Sequence, residues 1–146
     1  MDIQIIGVVG AGQMGSGITE VVISAGFRAL MRDISPEALE KGKKRITTDL
    51  ERRVQKGKIT AEEQKEILGR LSTTTQLEDF KNCDWVIEAA TEQIPLKKEI
   101  FQALDGVTRK EVILASNTSS ISIGRIASFT RRPERVIGLH FFFRPR

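Results

Sequence analysis

The stretch Ile3-Gln4-Ile5-Ile6-Gly7-Val8-Val9-Gly10-Ala11-Gly12-Gln13-Met14-Gly15-Ser16-Gly17 is an apolar β-type run that passes directly into a glycine-rich turn and then into a helical pattern. Its spacing is that of a dinucleotide-binding turn. Gly10 permits the tight turn, Gly12 lets the backbone approach a pyrophosphate, and Gly15 lets the new helix pack closely on the strand. The phosphates would sit at the helix N-terminus, where N–H groups and the helix dipole favour negative charge. Glycine-rich turns also occur in other α/β proteins, so the residues on either side decide the reading.

After the turn, Ile18, Val21, Val22 and Ala25 recur at helical spacing, with Gly26 placed to end the helix. A second strand follows over Phe27 to Arg32. It leads to Asp33, 18 residues beyond Gly15 and close to the roughly 20 expected for the acid that accepts the adenosine ribose hydroxyls. This carboxylate favours NAD, because it would repel a 2′-phosphate. Arg32 beside it partly offsets that repulsion and leaves NADP open.

Ser35-Pro36-Glu37 reads as a helix start, with a capping serine, proline at the first helical position and an acid in the first turn. The helix is expected to reach about Lys56, with Gly57 stopping it and Thr60-Ala61-Glu62-Glu63 forming a capping box for a second helix to about Leu68. This helical hairpin, about residues 36–69, is larger than a βαβ crossover requires, which suggests that it serves a ligand as well as topology. It is also basic, with eight Lys/Arg between Lys41 and Lys58 against Asp49 and Glu51, within a chain of net charge +4. Such a face suits an anionic partner or is simply solvated. No nucleic-acid-binding signature accompanies it, so nucleic acid is not expected.

Short strands over 71–75, 84–90, 111–115 and 136–140 alternate with helical segments near 78–82 and 95–107. That alternation predicts an α/β fold of Rossmann type, doubly wound, with a mainly parallel sheet and the helical hairpin inserted after the second strand. At 146 residues, 40% hydrophobic and 29% charged, the chain is expected to be one soluble domain spanning 1–146. No apolar run approaches the ~20 residues of a membrane span, and no secretory leader is evident, so the expected location is cytoplasmic. One cysteine, Cys83, and one histidine, His140, argue against a disulfide framework or a metal centre. Cys83 is expected to be an inert thiol, and Trp85 a core or edge residue.

In a doubly wound sheet, ligands bind at the carboxyl ends of the strands. Three stretches fall there: Thr91-Glu92, Ser116-Asn117-Thr118-Ser119-Ser120, and His140. Ser119 offers a hydroxyl to a substrate oxygen. His140 is the side chain with an ordinary pKa suited to proton exchange near neutrality.

Gly10-Ala-Gly-Gln-Met-Gly15, Val86-Ile-Glu-Ala-Ala-Thr-Glu92, Leu114-Ala-Ser-Asn-Thr-Ser-Ser120 and Arg135-Val-Ile-Gly-Leu-His-Phe-Phe142 resemble, in order, the motifs of the L-3-hydroxyacyl-CoA dehydrogenases, most closely the bacterial 3-hydroxybutyryl-CoA dehydrogenases. The resemblance implies that His140 is the general base that takes the hydroxyl proton while C3 gives hydride to the nicotinamide. It implies that Ser119 hydrogen-bonds the reacting oxygen. Gln13, Met14, Glu92, Lys97 and Asn117 would join the glycines and Asp33 at the cofactor. The hairpin would meet coenzyme A, with Lys56 and Lys58 as phosphate contacts.

The sequence departs from the family at its end. Where the family continues with Asn-Pro and a helical domain, this chain reads Phe143-Arg144-Pro145-Arg146. The C-terminal helical substrate and dimerisation domain is therefore expected to be absent, together with the glutamate that orients the histidine. An active-site histidine that loses its carboxylate partner can lose roughly 10⁴ in turnover. The expectation is a cofactor-binding half with low activity alone. The alternative is a stand-alone NAD-binding regulatory module whose Phe141-Phe142-Phe143 cluster finds a partner or a second copy.

Overall fold

A computed structural model describes residues 2–140. The Phe141–Phe143 cluster and the Phe143–Arg146 ending, on which the expected oligomer contact and truncation rested, lie outside the described residues.

The elements run β1 (Ile5–Val9), α1 (Gln13–Ser24), β2 (Arg28–Arg32), α2 (Pro36–Gln55), α3 (Ala61–Leu68), β3 (Leu71–Thr74), β4 (Trp85–Glu88), α4 (Ile94–Val107), β5 (Ile113–Ser116), α5 (Ile123–Ala127) and β6 (Val136–Gly138), with 3₁₀ turns at Leu77–Asn82 and Pro133–Arg135. The sheet order is β3-β2-β1-β4-β5-β6, and every described pairing is parallel. This is the 3-2-1-4-5-6 order of the dinucleotide-binding fold, with the chain reversing direction across the sheet between β1 and β4.

Strand alternation sorts the core into two layers. Val8, Met31, Ile87 and Ala115 point to one face, where they meet Ile18, Val22 and Ile23 of α1, Leu39, Ile46 and Leu50 of α2, and Ile67 of α3. Val9, Val86, Leu114 and Val136 point to the other, against Phe80, Ile100, Phe101, Leu104 and Ile126. A side-chain period of two thus buries both faces of the strands. Val21, assigned to the apolar stripe of α1 by its spacing, is 48% exposed instead. The stripe that packs is Ile18, Val22 and Ile23.

The hairpin begins as its caps require. Ser35 Oγ accepts from the Ala38 N–H, and Thr60 and Glu63 exchange both bonds of a capping box. It lies against α1, with Arg53 Nη2 3.0 Å from Glu20 Oε2 and Arg70 Nη1 donating to the Ile23 carbonyl at 2.8 Å. Cys83 is fully buried, and burial pushes its thiol pKa up to about 12, so it stays protonated and unreactive near neutral pH. Trp85 is half-buried at the edge of the first core layer.

Helix α5 has no counterpart in the sequence reading. At five residues it is too short to show a period, although Ser122 caps it by accepting from the Arg125 N–H at 3.0 Å. The segment after it is fixed by Arg132, which reaches the C-terminal end of α4. Its guanidinium donates to Asp105 Oδ1 at 2.7 Å and to the carbonyls of Asp105, Thr108, Arg109 and Val112. A planar five-donor fork suits this array and an ammonium does not. Arg132→Met is expected to destabilise the domain by about 3 kcal/mol, since Asp105 and several carbonyls lose their partner together. Urea denaturation checks this, and a loss below about 1 kcal/mol would contradict it.

Candidate functional site

Parallel register brings the strand ends to one edge of the sheet. Val9, Arg32, Glu88 and Ser116 are linked by successive pairings, and Gly138 follows opposite Ser116. The residues just beyond them, Gly10, Asp33, Ala89, Asn117 and Leu139, therefore start the loops that form the site.

The glycine turn opens it. Gly10 has φ +115, a region that suits glycine, and its N–H donates to the Arg32 carbonyl at 2.7 Å. Helix α1 starts immediately afterwards with Gly12 as its cap. It carries neither a side-chain cap nor an acid in its first turn, whereas α2 and α3 have both. Its first-turn N–H groups have no partner further back in the helix, and the helix dipole favours negative charge there. A Cβ placed on Gly12 would meet nothing within 4 Å. These observations fit a dinucleotide: an uncapped helix start beside a space that glycine keeps open for phosphate oxygens.

Asp33 anchors the turn from β2. Its Oδ2 accepts from the Ala11 N–H at 3.1 Å and its Oδ1 from the Ser35 N–H at 3.0 Å. Next to it, a small cavity is lined by Ala11, Gly12, Ser35, Glu37, Ala38, Lys41 and Arg45. Arg45 also donates to the Ala11 carbonyl at 3.3 Å, so α2 braces the turn that it faces. Lys41 and Arg45 were legible as part of a basic segment, but their place beside the glycines depends on how α2 docks.

A second cavity, of about 430 Å³, lies on the other side of the turn and is lined by Met14, Ala89, Ala90, Thr91, Glu92, Asn117, Ser119 and His140. Five expected site residues meet here: Met14, Glu92, Asn117, Ser119 and His140. Glu92 Oε2 accepts from Thr118 Oγ1 at 2.6 Å and from Ser120 Oγ at 2.5 Å, which ties the loop after β4 to the loop after β5. Burial alone would push its carboxyl pKa up. The hydroxyls of Ser120 and Thr118, the Lys97 ammonium and the Ser119 N–H outweigh that and hold it below the ordinary 4.5.

Lys97 is placed differently from a cavity-lining residue. It is 1% exposed, and its Nζ donates to Glu88 Oε1 at 2.8 Å and to Ser116 Oγ at 3.3 Å. Glu88 and Ser116, both fully buried, are polar residues of the quoted stretches to which the sequence assigns no separate role. Gln13 lines a third space, a groove of about 690 Å³ between α1 and α2, with Ser16, Gly17, Lys41, Lys44, Arg45, Arg52 and Arg53 along it and Glu20 and Asp49 among them. Lys56 and Lys58 are exposed at the end of α2 and line none of these three spaces.

Comparison with known proteins gives a consistent result. The family described as 3-hydroxyacyl-CoA dehydrogenase, NAD binding domain, matches residues 5–146. A probable 3-hydroxybutyryl-CoA dehydrogenase of Bacillus subtilis is 48% identical over 141 residues, covering 97% of this chain and 49% of that protein. A 3-hydroxybutyryl-CoA dehydrogenase of Mycobacterium tuberculosis is also 48% identical, over 96% of this chain and 49% of its own length. Among solved structures, the (S)-3-hydroxybutyryl-CoA dehydrogenase PaaH1 of Ralstonia eutropha superposes with a TM-score of 0.94 at 43% identity, covering 97% of this chain and 50% of that one. The chain spans about half the length of the relatives it matches.

The Glu92 linkage has a pH signature. A carboxyl whose folded pKa is depressed adds stability above its unfolded value and loses it as pH falls through the folded value. The stability gap between the parent chain and Glu92→Gln is therefore expected to be full at pH 7 and to close as pH falls below 4.5. Urea midpoints measured across that range check it; a gap that widened with acid would have the wrong sign.

Proposed function

The chain belongs to the family of 3-hydroxyacyl-CoA dehydrogenase NAD-binding domains, and from that premise we propose that it serves the NAD-dependent interconversion of 3-hydroxyacyl-CoA and 3-ketoacyl-CoA, with 3-hydroxybutyryl-CoA as the substrate. The observation that carries this reading is the meeting of Ser119 and His140 in one cavity with Met14 of the glycine-turn helix. A hydroxyl donor, a proton acceptor and the start of a dinucleotide site share one wall.

When bound, NAD supplies the hydride acceptor. The chain's own residues do the rest. Asp33 holds the glycine turn in shape through Ala11 and Ser35 and stands where the adenosine ribose would lie. The α1 N-terminus would receive the pyrophosphate, and Glu92 and Asn117 would border the nicotinamide end. Ser119 donates a hydrogen bond to the substrate oxygen at C3 and fixes its orientation. His140 accepts the proton from that oxygen in the oxidative direction and returns it in the reductive one. General-base assistance of this kind contributes about 10²–10⁴ in rate.

The basic groove supports an acyl-CoA over a small substrate that carries no phosphates. Five cations, against Glu20 and Asp49, line a channel that begins at Gln13, next to the turn, and runs along α2. The phosphates of coenzyme A are an anionic load of matching sign. Lys56 and Lys58 continue the positive charge in the turn just past the end of α2. Asp33 favours NAD, and Arg32 does not turn toward the ribose: its Nε donates to the Thr75 carbonyl at 3.0 Å.

Two measurements test the proposal. NADH is expected to bind with fluorescence enhancement below millimolar concentration, and absence of binding at millimolar cofactor would overturn the assignment. Acetoacetyl-CoA is expected to drive NADH oxidation that falls about 10³-fold in His140→Gln while NADH affinity stays within about threefold. Equal turnover in the parent and the variant would remove His140 from the chemistry.

A further inference from the structure

Glu88 lines none of the three spaces described above, yet it stands behind the wall of one. It is fully buried at the last position of β4, in register with Val9 on one side and Ser116 on the other. Four donors converge on its carboxylate. Oε1 accepts from Lys97 Nζ at 2.8 Å and from Ser116 Oγ at 2.8 Å; Oε2 accepts from the N–H groups of Ala90 at 2.9 Å and Thr91 at 3.2 Å. Its main-chain carbonyl accepts from the Asn117 N–H at 2.9 Å. Ala90, Thr91 and Asn117 all line the cavity that holds Ser119 and His140.

A buried ion pair stabilises a fold little compared with apolar residues of the same volume, because desolvation offsets the attraction. Stability therefore does not account for charges at Glu88 and Lys97. What the arrangement supplies is direction: one oxygen faces β5 and α4, the other takes two consecutive N–H groups of the loop after β4. We propose that Glu88 is a positioning residue for the nicotinamide end of the site, holding Ala90 and Thr91 through its side chain, with Lys97 and Ser116 fixing the carboxylate that does so. The inference rests on the reading of this cavity as the nicotinamide site.

Glu88→Gln separates this role from space-filling. A carboxamide has one acceptor oxygen, which can face Lys97 or the loop, but not both. The ammonium is the stronger claimant, so the NH₂ is left against the Ala90 and Thr91 N–H groups and the loop comes loose. Residue-resolved amide exchange is expected to quicken about tenfold at Ala90 and Thr91, with Ile87 and Leu114 within about twofold of the parent. The NADH Kd is expected to rise about tenfold.

Adding Lys97→Met removes the competing charge. The amide oxygen of Glu88→Gln then returns to the loop while its NH₂ donates to Ser116, and protection at Ala90 and Thr91 recovers. Lys97→Met/Glu88→Leu fills the same space without an acceptor and does not recover it. This pair buries no unpaired charge, so it also carries the test if Glu88→Gln alone fails to fold. Equal exchange at Ala90 and Thr91 in the two double variants would overturn the proposal, as would unchanged exchange in a folded Glu88→Gln. Failure of the parent chain to bind NADH would strike the functional reading instead and leave the exchange result standing.

Discussion

The structure depends on one close approach. A Cβ on Gly15 would stand 2.0 Å from the Gly10 carbonyl oxygen, a distance that no side chain survives. Helix α1 can therefore begin almost on top of the end of β1, and the chain turns from strand to helix within three residues. That fixes the helix N-terminus over the edge of the sheet, where the connections leaving β1 and β4 run to opposite sides. Ligand binding at this edge follows from topology. Its suitability for phosphate follows from the absence of a cap or acid in the first turn of α1.

Everything near the turn acts to keep it in shape. Asp33 reaches from β2 to the Ala11 N–H, and Arg45 reaches from α2 to the Ala11 carbonyl, so this one residue is held at both of its main-chain polar groups. Across the sheet, Glu88, Ser116 and Lys97 place a buried polar knot at the ends of β4 and β5. Glu92, Thr118 and Ser120 repeat the tie nearer the surface. The cavity with Ser119 and His140 is thus bordered by loops bonded to one another, which a site needs if a donor and a proton acceptor are to stay in register with a bound dinucleotide.

Much of this was legible before any coordinates. The glycine spacing, the acid at Asp33 and the strand–helix alternation implied a doubly wound sheet, and the strand ends marked Glu92, Asn117, Ser119 and His140. The caps at Ser35 and Thr60 are local chemistry and were readable as such. What escaped depends on packing. Glu88 sits in the run Trp85-Val-Ile-Glu88 and reads as a charge ending a strand; only the docking of α4 brings Lys97 onto it. Lys41 and Arg45 join the site through the rotation of α2 about its axis, which a 20-residue helix with cations on several faces does not reveal. Val21 fits the helical period, but the hairpin leaves its side of α1 uncovered. Helix α5 is too short for any period to show.

Two glycines that look alike in the sequence carry different burdens, and separating them tests the account most directly. Gly12→Ala places a methyl in open space at a φ of −70 that alanine accepts, so stability should stay within about 1 kcal/mol while NADH affinity falls at least about tenfold. Gly15→Ala drives a methyl into the Gly10 carbonyl and should cost about 3 kcal/mol of stability. Paired urea and NADH titrations of the two variants give both numbers. A Gly12→Ala chain that kept its fold and bound NADH as tightly as the parent would contradict the claim that this turn exists to let a pyrophosphate approach the backbone.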